Sequence, residues 1–328
     1  MRTSVVVTRR DLLMASAAGA AAALLPQSKA QTLAKTVQVV TGFAPGLTDG
    51  VARLISGQFK DYAASVVVET RPGASGRIAV EAVKAADADG SVILFAPLGF
   101  VILFPLIYKT LRYTPGDFIP VSAVASFPAL LTVGPKVPNH ARTLADFVEW
   151  CRTNPKAATY GTPGIGTTLH LIGAMLGRAA NIEFLHVPYQ GSSAIQDLLK
   201  GEIASAIMPI GSSLGLVRSG ELRALATTGP RRSLFLPDVP TVAECGYPSL
   251  EDLTRYGFFV PARTPANVVE RLNDAIQQTL HNDEVRLGME KLAVEIDAVS
   301  MGDFSRLIGS ESRRWRTIVE ATGFTPID

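Results

Sequence analysis

One stretch near the start of the chain decides the fold class: residues 37–56, which read VQVVTGFAPGLTDGVARLIS. The apolar run Val37–Val40 is typical of a strand, and a turn rich in Gly and Pro follows it. From Gly50 onward the spacing of apolar residues indicates an amphipathic helix, which we expect to run to Ala63. A strand, a turn and a helix in this order form the repeating unit of α/β folds.

The same alternation of short apolar runs and amphipathic stretches continues along the chain. Strands are expected at 66–69, 92–95, 130–133, 158–160, 184–186, 204–208 and 222–227, and helices at 76–86, 144–153, 167–179, 193–200, 214–219, 268–281 and 301–322. Because strands separated by helices pair in parallel, we predict mainly parallel sheets with helices on both faces. Ligands of such folds bind beyond the carboxyl ends of the strands, so the strand-to-helix turns are the candidate sites.

The composition excludes several classes of protein. The chain has 328 residues, 47% hydrophobic and 18% charged, which is enough apolar material for a packed core and unlike a disordered chain. A formal net charge of +2 argues against a strong electrostatic grip on nucleic acid. Two cysteines, Cys151 and Cys245, cannot build a disulfide framework or a four-ligand zinc site. We expect two isolated thiols and leave their pairing open.

The first thirty residues have the features of an export signal. The paired arginines Arg9 and Arg10 precede an uncharged run from Leu12 to Leu25, which is shorter than the about 20 residues of a membrane-spanning helix. Small residues before position 31 predict cleavage between Ala30 and Gln31, and the arginine pair favours the twin-arginine route. Cleavage would leave a net charge of −1 and a periplasmic protein. A helix of the fold or a retained anchor are the alternatives.

Three strand-to-helix turns carry residue types suited to holding an anion. In residues 41–49, Thr48 or Asp49 would cap a helix whose free N–H groups and dipole attract negative charge. Residues 161–170 contain three glycines, which allow close backbone approach, and two threonine hydroxyls. Residues 186–193 offer the ring and hydroxyl of Tyr189. The alternatives are ordinary capped turns and a tyrosine that only packs under the helix.

The motifs of nucleotide sites are absent, and the signals for catalysis are weak. Leu169 stands where a Rossmann loop needs Gly, and no Walker lysine is present. The four histidines, His140, His170, His186 and His281, lack metal-ligand spacing, so we expect no metal and no cofactor. Residues 211–215 fit the nucleophile-elbow pattern around Ser213, with His281 downstream, but Pro209 interrupts the strand that should precede it. An exported serine hydrolase is therefore only an alternative.

A series of motifs extends over residues 37–328 in the order and spacing of one family. They are VVTGFAPG (39–46), TDGVARL (48–54), ETRPGASG (69–76), YTPGDF (113–118), HVPYQG (186–191), LRALA (222–226), LPDVPTVAE (236–244) and PARTP (261–265). Together they resemble the Bug or TctC-type solute receptors of tripartite tricarboxylate transporters.

The resemblance implies an α/β, two-lobed periplasmic-binding-protein-like (flytrap) fold without catalysis. It also implies that a small carboxylate is held between the lobes for delivery to membrane permease subunits, and we expect a monomer without a nucleic-acid partner. The crossings predict lobe 1 at 31–124 and 225–328, and lobe 2 at 125–224. The ligand contacts carried over to this chain are Phe43, Ala44, Gly46, Thr48, Asp49, Leu98, Thr162, Gly164, Gly166, Thr167, Thr168, Tyr189, Gly191 and Met208.

Departures from the family pattern indicate the class of ligand. Leu47 stands where the family has the second of two glycines, Met208–Ile210 replaces a polar pair, and residues 97–100 replace small polar residues. Because an apolar pocket does not compensate the desolvation of a second charge, we predict a monocarboxylate with an apolar or aromatic body. An inward-pointing Arg255 or Tyr256 would weaken that prediction. A signalling adaptor that presents the ligand to a membrane sensor is an alternative on the same fold.

Overall fold

The computed structural model describes residues 34–322, 324, 326 and 327. The predicted export signal and its cleavage after Ala30 therefore lie outside the described residues. Within them, no helix is both long enough and apolar enough to cross a membrane.

The described part of the chain contains ten strands, several of which lie where the apolar runs predict them. Their bounds are β1 (Ala34–Thr41), β2 (Ala63–Thr70), β3 (Val92–Pro97), β4 (Phe118–Val133), β5 (Thr159–Thr162), β6 (Leu185–Pro188), β7 (Ser205–Pro209), β8 (Arg223–Thr227), β9 (Leu253–Pro261) and β10 (Glu295–Val299).

Eleven α-helices accompany these strands in the same part of the chain. They are α1 (Leu47–Ser56), α2 (Arg77–Lys84), α3 (Gly99–Ile102), α4 (Phe104–Ile107), α5 (Leu144–Thr153), α6 (Thr168–Ala179), α7 (Ala194–Lys200), α8 (Leu214–Arg218), α9 (Ala266–Leu280), α10 (Asp283–Lys291) and α11 (Met301–Thr322).

Local sequence explains where some helices begin. At the start of α5, the Thr143 hydroxyl accepts a hydrogen bond from the Asp146 N–H at 3.1 Å, and the Asp146 carboxylate accepts one from the Thr143 N–H at 3.0 Å. This reciprocal capping box satisfies donors that a helix start leaves unpaired. The first helix is shorter than predicted, because Gly57 ends α1 and β2 begins at Ala63.

The strands form one mixed sheet in the order β2-β1-β3-β9-β4-β7-β5-β6, with β8 and β10 also paired to β4. Residues 118–128 of β4 pair with β9, and residues 129–133 pair with β7, so β4 belongs to both halves of the molecule. The outer pairs are parallel, as predicted, whereas every antiparallel pair includes β4 or β9. The two-lobed α/β fold is confirmed, and its centre is antiparallel.

Hydrophobic clusters cover both faces of the first half of the sheet. Val39 packs in a cluster with Leu272 of α9, whereas its neighbour Val40 packs in a second cluster with Trp315 of α11. Successive side chains of β1 thus point to opposite faces, as the period of a strand requires. The second half has its own clusters, in which Phe147 of α5 and Leu198 of α7 are buried.

This topology brings two sets of turns together. The carboxyl ends of β1 and β3 lead into α1 and α3, and those of β5 and β7 lead into α6 and a short 3-10 turn at Ile210–Ser212. The strand β4 joins the two halves of the sheet, and residues from both sets of turns line one cleft between them.

Candidate functional site

The cleft between the two sets of turns is largely apolar. Part of it is open to solvent. Among the described residues, no Asp, Glu, Lys, Arg or His lines it. Its larger apolar side chains are Phe43, Leu47, Phe100, Phe104, Phe127, Leu169 and Met208, and its hydroxyl groups belong to Thr48, Thr167, Thr168, Ser192, Ser212, Thr254 and Tyr256.

The start of α1 forms one wall of the cleft and keeps its backbone donors free. Gly46 precedes the helix without a side-chain cap, and its carbonyl accepts the Gly50 N–H at 2.8 Å. The N–H groups of residues 47–49 have no carbonyl one turn earlier to bond. The positive end of the helix dipole therefore faces the cleft together with these donors.

A pair of hydroxyl groups lies beside this helix start. The Thr48 Oγ1 and the Tyr256 hydroxyl are 3.0 Å apart, and both side chains are buried. Two hydroxyls that bond each other use one of their two protons, so the other proton is available to a ligand oxygen. Burial raises the pKa of Tyr256 to about 12, so that this hydroxyl keeps its proton at neutral pH.

The start of α6 forms the opposite wall, and its turn is held by internal hydrogen bonds. The Thr167 hydroxyl accepts the His170 N–H at 3.3 Å and donates to the Gly164 carbonyl at 3.0 Å. The Gly166 N–H donates to Nδ1 of His170 at 3.0 Å. Thr168, the first residue of α6, lines the cleft and has no intrahelical acceptor for its N–H.

Two stacked histidines support this second turn. The rings of His170 and His186 lie 3.8 Å apart between centroids, and Nε2 of His186 is 2.7 Å from the Thr162 hydroxyl. Burial lowers the pKa of His170 to about 4. Burial, followed by the neighbouring His170, lowers the pKa of His186 to about 3. Both rings are neutral at physiological pH, and they therefore bring no positive charge to the cleft.

The two sides of the cleft touch each other in this structure. The Tyr108 hydroxyl donates to the Ile165 carbonyl at 3.0 Å. A Cβ atom at Gly164 would lie 2.9 Å from Oγ of Ser75, and one at Gly191 would lie 3.8 Å from Cβ of Ala44. Glycine allows this close approach of the opposing turns, and the cleft is in a closed state.

Most of the predicted contact residues lie in or beside the cleft. Those that line it are Phe43, Ala44, Gly46, Thr48, Thr167, Thr168, Gly191 and Met208. Gly164 and Tyr189 line an adjoining cavity, which shares Phe43, Ala44, Pro163 and Gly191 with the cleft.

The structure places four predicted residues outside both cavities, and their interactions explain why. The carboxylate of Asp49 pairs with Arg53 at 3.0 Å, one turn along α1. Leu98 is buried in the core. The Thr162 hydroxyl is used by the Gly164 carbonyl and by His186. Gly166 donates its N–H to His170.

The sequence patterns do not reveal several residues of the cleft. Thr254 and Tyr256 lie two residues apart on β9. Because most residues of this strand are buried, its sequence lacks the alternation of polar and apolar residues that marks a half-exposed strand. Tyr256 does point inward, as a neutral hydroxyl, whereas Arg255 pairs with Asp297 at 2.8 Å away from the cleft. Ser212 belongs to the elbow-like pattern and lines the cleft in place of Ser213.

The geometry contradicts the nucleophile-elbow interpretation. Ser213 is 1% exposed and its hydroxyl has no hydrogen-bond partner. Nδ1 of His281 lies 2.7 Å from the Gln277 carbonyl of its own helix. No serine and histidine are thus paired for catalysis at this pattern. The described residues also contain no group of three or more metal-ligating side chains.

Comparisons with known proteins agree on one family. Residues 51–324 match the model of the tripartite tricarboxylate transporter family receptor. A Pseudomonas sp. protein in the tcbD-tcbE intergenic region is 34% identical over 92% of each chain, and BugT of Bordetella pertussis is 31% identical over 88% of this chain and 90% of its own.

Solved structures of similar proteins cover nearly the whole chain. The periplasmic binding protein BugD is 28% identical, with a TM-score of 0.81, over 88% of this chain and 98% of its own. An R. palustris protein with adipate is 31% identical, with a TM-score of 0.83, over 89% and 98%. MatC from Rhodopseudomonas palustris, with bound malate, is 27% identical, with a TM-score of 0.80, over 87% and 98%.

Proposed function

The chain belongs to the tripartite tricarboxylate transporter receptor family, and on that premise we propose that it captures a small monocarboxylate with an apolar or aromatic body and delivers it to a membrane permease. The family expected from the motifs is thus confirmed, and it is a family of solute receptors, not of enzymes. The observation that carries the proposal is a closed cleft with two helix starts and no charged side chain among the described residues of its lining.

The helix starts supply donors for one carboxylate. The free N–H groups at the start of α1, the Thr168 N–H and one proton of the Thr48–Tyr256 pair can all donate to anionic oxygens. Each helix-end contact is worth about 0.3–2 kcal/mol, whereas micromolar affinity needs about 8 kcal/mol. Several donors and burial of the ligand body must therefore act together.

The lining favours an acid with a single charge. Adipate and malate, which are bound by two similar proteins, each carry two carboxyl groups. In this chain the body of a ligand would contact Phe43, Phe100, Phe127 and Met208. A second carboxylate there would lose its hydration without a cation in return, which is costly.

Binding of the ligand is coupled to closure of the cleft. The Tyr108–Ile165 hydrogen bond and the Ser75–Gly164 approach join opposite sides of the cleft. We expect a bound acid to shift the population towards this closed state, since its contacts with both helix starts form only there.

The remaining expectations belong to the same proposal. The protein would be a monomer, exported by the twin-arginine route and cleaved near Ala30. The motifs predict lobe 1 at 31–124 and 225–328 and lobe 2 at 125–224, but the packing of the described residues leads us to propose a later end for lobe 2. Because Leu225, Val242 and Leu250 pack in the cluster of α5 and α6, we favour a second boundary nearer residue 252.

Calorimetric titration of the purified mature protein tests the ligand class. We expect benzoate-like acids to bind at micromolar concentrations, and aspartate, malate, adipate and citrate to bind at least tenfold more weakly. Tightest binding to citrate or adipate would contradict the proposal. Uptake of the preferred acid by cells with and without the protein tests delivery, and equal uptake would argue against it.

A further inference from the structure

We propose that Thr254 and Ser212 form a second recognition point in the cleft, which binds a neutral hydrogen-bonding group, such as a hydroxyl, on the body of the bound acid. The inference rests on the proposed function, because it assigns a finer ligand class to the same cleft.

Both hydroxyls are buried and unsatisfied. Thr254 is 8% exposed, and neither its Oγ1 nor the Oγ of Ser212 has a hydrogen-bond partner. A buried polar group without a partner costs about 1–3 kcal/mol, so native proteins rarely leave one unpaired without a reason. Both residues line the cleft, so that a ligand atom can supply the missing partner.

The register of the sheet places the two residues on either side of β4. Thr254 of β9 lies opposite Phe127, and Pro209, the last residue of β7, lies opposite Ala129. The 3-10 turn that contains Ser212 follows Pro209 directly. Thr254 and Ser212 therefore reach the same cleft from the two strands that flank β4, with Phe127 of β4 also in its lining.

The position along β9 sets the distance from the carboxylate end. Thr254 and Tyr256 share one face of the strand, which separates their Cα atoms by about 7 Å. The Tyr256 hydroxyl is bonded to Thr48 beside the start of α1. Thr254 thus lies one residue pair along the same strand face from Tyr256, on the side of the cleft away from the residues that follow Tyr256 in β9.

The chemistry of the point selects a neutral group. Threonine and serine hydroxyls both donate and accept, which suits a hydroxyl, whereas they do not neutralise a charge. The nearest carboxylate on β9 or beside it, Asp252, is already paired with Arg314 at 2.9 Å. Arg255 is paired with Asp297 and points away. No free charge of these groups is left for an ammonium or a second carboxylate.

Matched acids test the inference by calorimetric titration. The probes are benzoate, 3- and 4-hydroxybenzoate, and 3- and 4-methylbenzoate. At each ring position the hydroxyl and methyl substituents differ in hydrogen bonding more than in size. In the unmodified protein we expect one hydroxybenzoate to bind about fivefold to twentyfold more tightly than its methyl counterpart. Thr254→Val and Ser212→Ala should each reduce that preference about threefold to tenfold.

Two control variants separate recognition from folding. Thr254→Ser keeps the hydroxyl and should retain the preference. Thr227→Val removes another buried, unpartnered hydroxyl, which does not line the cleft, and should change nothing. Benzoate binding without any preference for a hydroxyl, or a preference that survives in both Thr254→Val and Ser212→Ala, would overturn this inference but not the proposed function. Absence of binding by every acid tested would overturn the proposed function as well.

Discussion

The two helix starts that border the cleft are built differently. The start of α1 has Gly46 as its cap, without a side-chain hydrogen bond, and leaves its donors open. The turn before α6 is closed on itself by the Thr167 hydroxyl and by Nδ1 of His170. The start of α1 thus keeps its donors for a ligand, while the turn before α6 uses several of its hydrogen bonds to fix its own shape and leaves the Thr168 N–H free. Substitutions at α1 should affect mainly affinity, and those at α6 mainly stability.

The largest expected effect is the acid sensitivity of the second turn. His170 and His186 have a pKa of about 4 and about 3 in the folded protein, against about 6.5 when unfolded. Below pH 6.5 the unfolded state therefore binds more protons, and stability falls as the pH drops towards 3. Between pH 7 and 4 we expect these histidines to lower the free energy of unfolding by about 2–5 kcal/mol, measured by urea denaturation.

A double variant isolates this contribution from that of other groups. His170→Asn keeps an acceptor near the position of Nδ1, and His186→Gln keeps a polar group near Thr162. The variant should lose much of the pH dependence, whereas His281→Gln, at an exposed position, should retain it. Equal slopes in all three proteins would show that the stacked rings do not titrate as described.

The next effect contrasts one glycine from each turn: Gly46, the cap of α1, and Gly166, which precedes the Thr167 cap of α6. Gly166 has φ 75°, and a Cβ atom there would lie 2.5 Å from Ile107. Gly46 has an extended φ of 167°, and the nearest atom to its Cβ would be 3.8 Å away. Thermal or urea unfolding should show a loss of about 1–3 kcal/mol for Gly166→Ala and at most about 0.5 kcal/mol for Gly46→Ala. The reverse order would remove the distinction between the turns.

A smaller loss of stability is expected for the cap of α6. Thr167→Val removes both the acceptor of the His170 N–H and the donor to the Gly164 carbonyl. Loss of such a cap costs about 1–2 kcal/mol of unfolding free energy. Thr167→Ser keeps the hydroxyl and should be close to the unmodified protein. A Val variant as stable as the Ser variant would mean that the cap is not what holds the turn.

The smallest effect concerns affinity at α1. Thr48→Val removes one of the two hydroxyls beside the helix start and leaves the Tyr256 hydroxyl without its partner. We expect a threefold to tenfold loss of affinity for benzoate by calorimetry. The orphaned Tyr256 hydroxyl should also cost about 1 kcal/mol of stability, the low end for a buried polar group, because Tyr256 lines the cleft. A comparable loss of affinity in Thr167→Val, or none in Thr48→Val, would contradict the assigned division of roles.

Much of the framework follows from sequence patterns, because most strands and helices are short, regular and amphipathic. The helices at 144–153 and 301–322 have the predicted bounds. The patterns predict only residues 130–133 of β4 and miss β9, because the residues of both strands are buried almost throughout and therefore lack alternation. Since these strands carry every antiparallel pair, the centre of the sheet is the part that the sequence conceals.

The candidate site is likewise only partly predictable from the sequence. The glycine-rich turns are visible in the sequence, whereas Asp49, expected there as a cap and a ligand contact, pairs with Arg53 four residues along the same helix. The histidine stack and the hydroxyls of Thr254 and Ser212 depend on strands that meet only in the folded protein. Composition alone cannot tell which threonines find a partner and which do not.

The shared strand β4 has a mechanical consequence. Its 16 residues run without a break through both halves of the molecule, and its pairing with β9 shifts register between Pro120 and Ser122 and between Ala123 and Ala125. Opening must therefore bend a continuous hydrogen-bonded strand near Pro128 and Ala129, where its partner changes from β9 to β7, instead of swivelling about a loose tether.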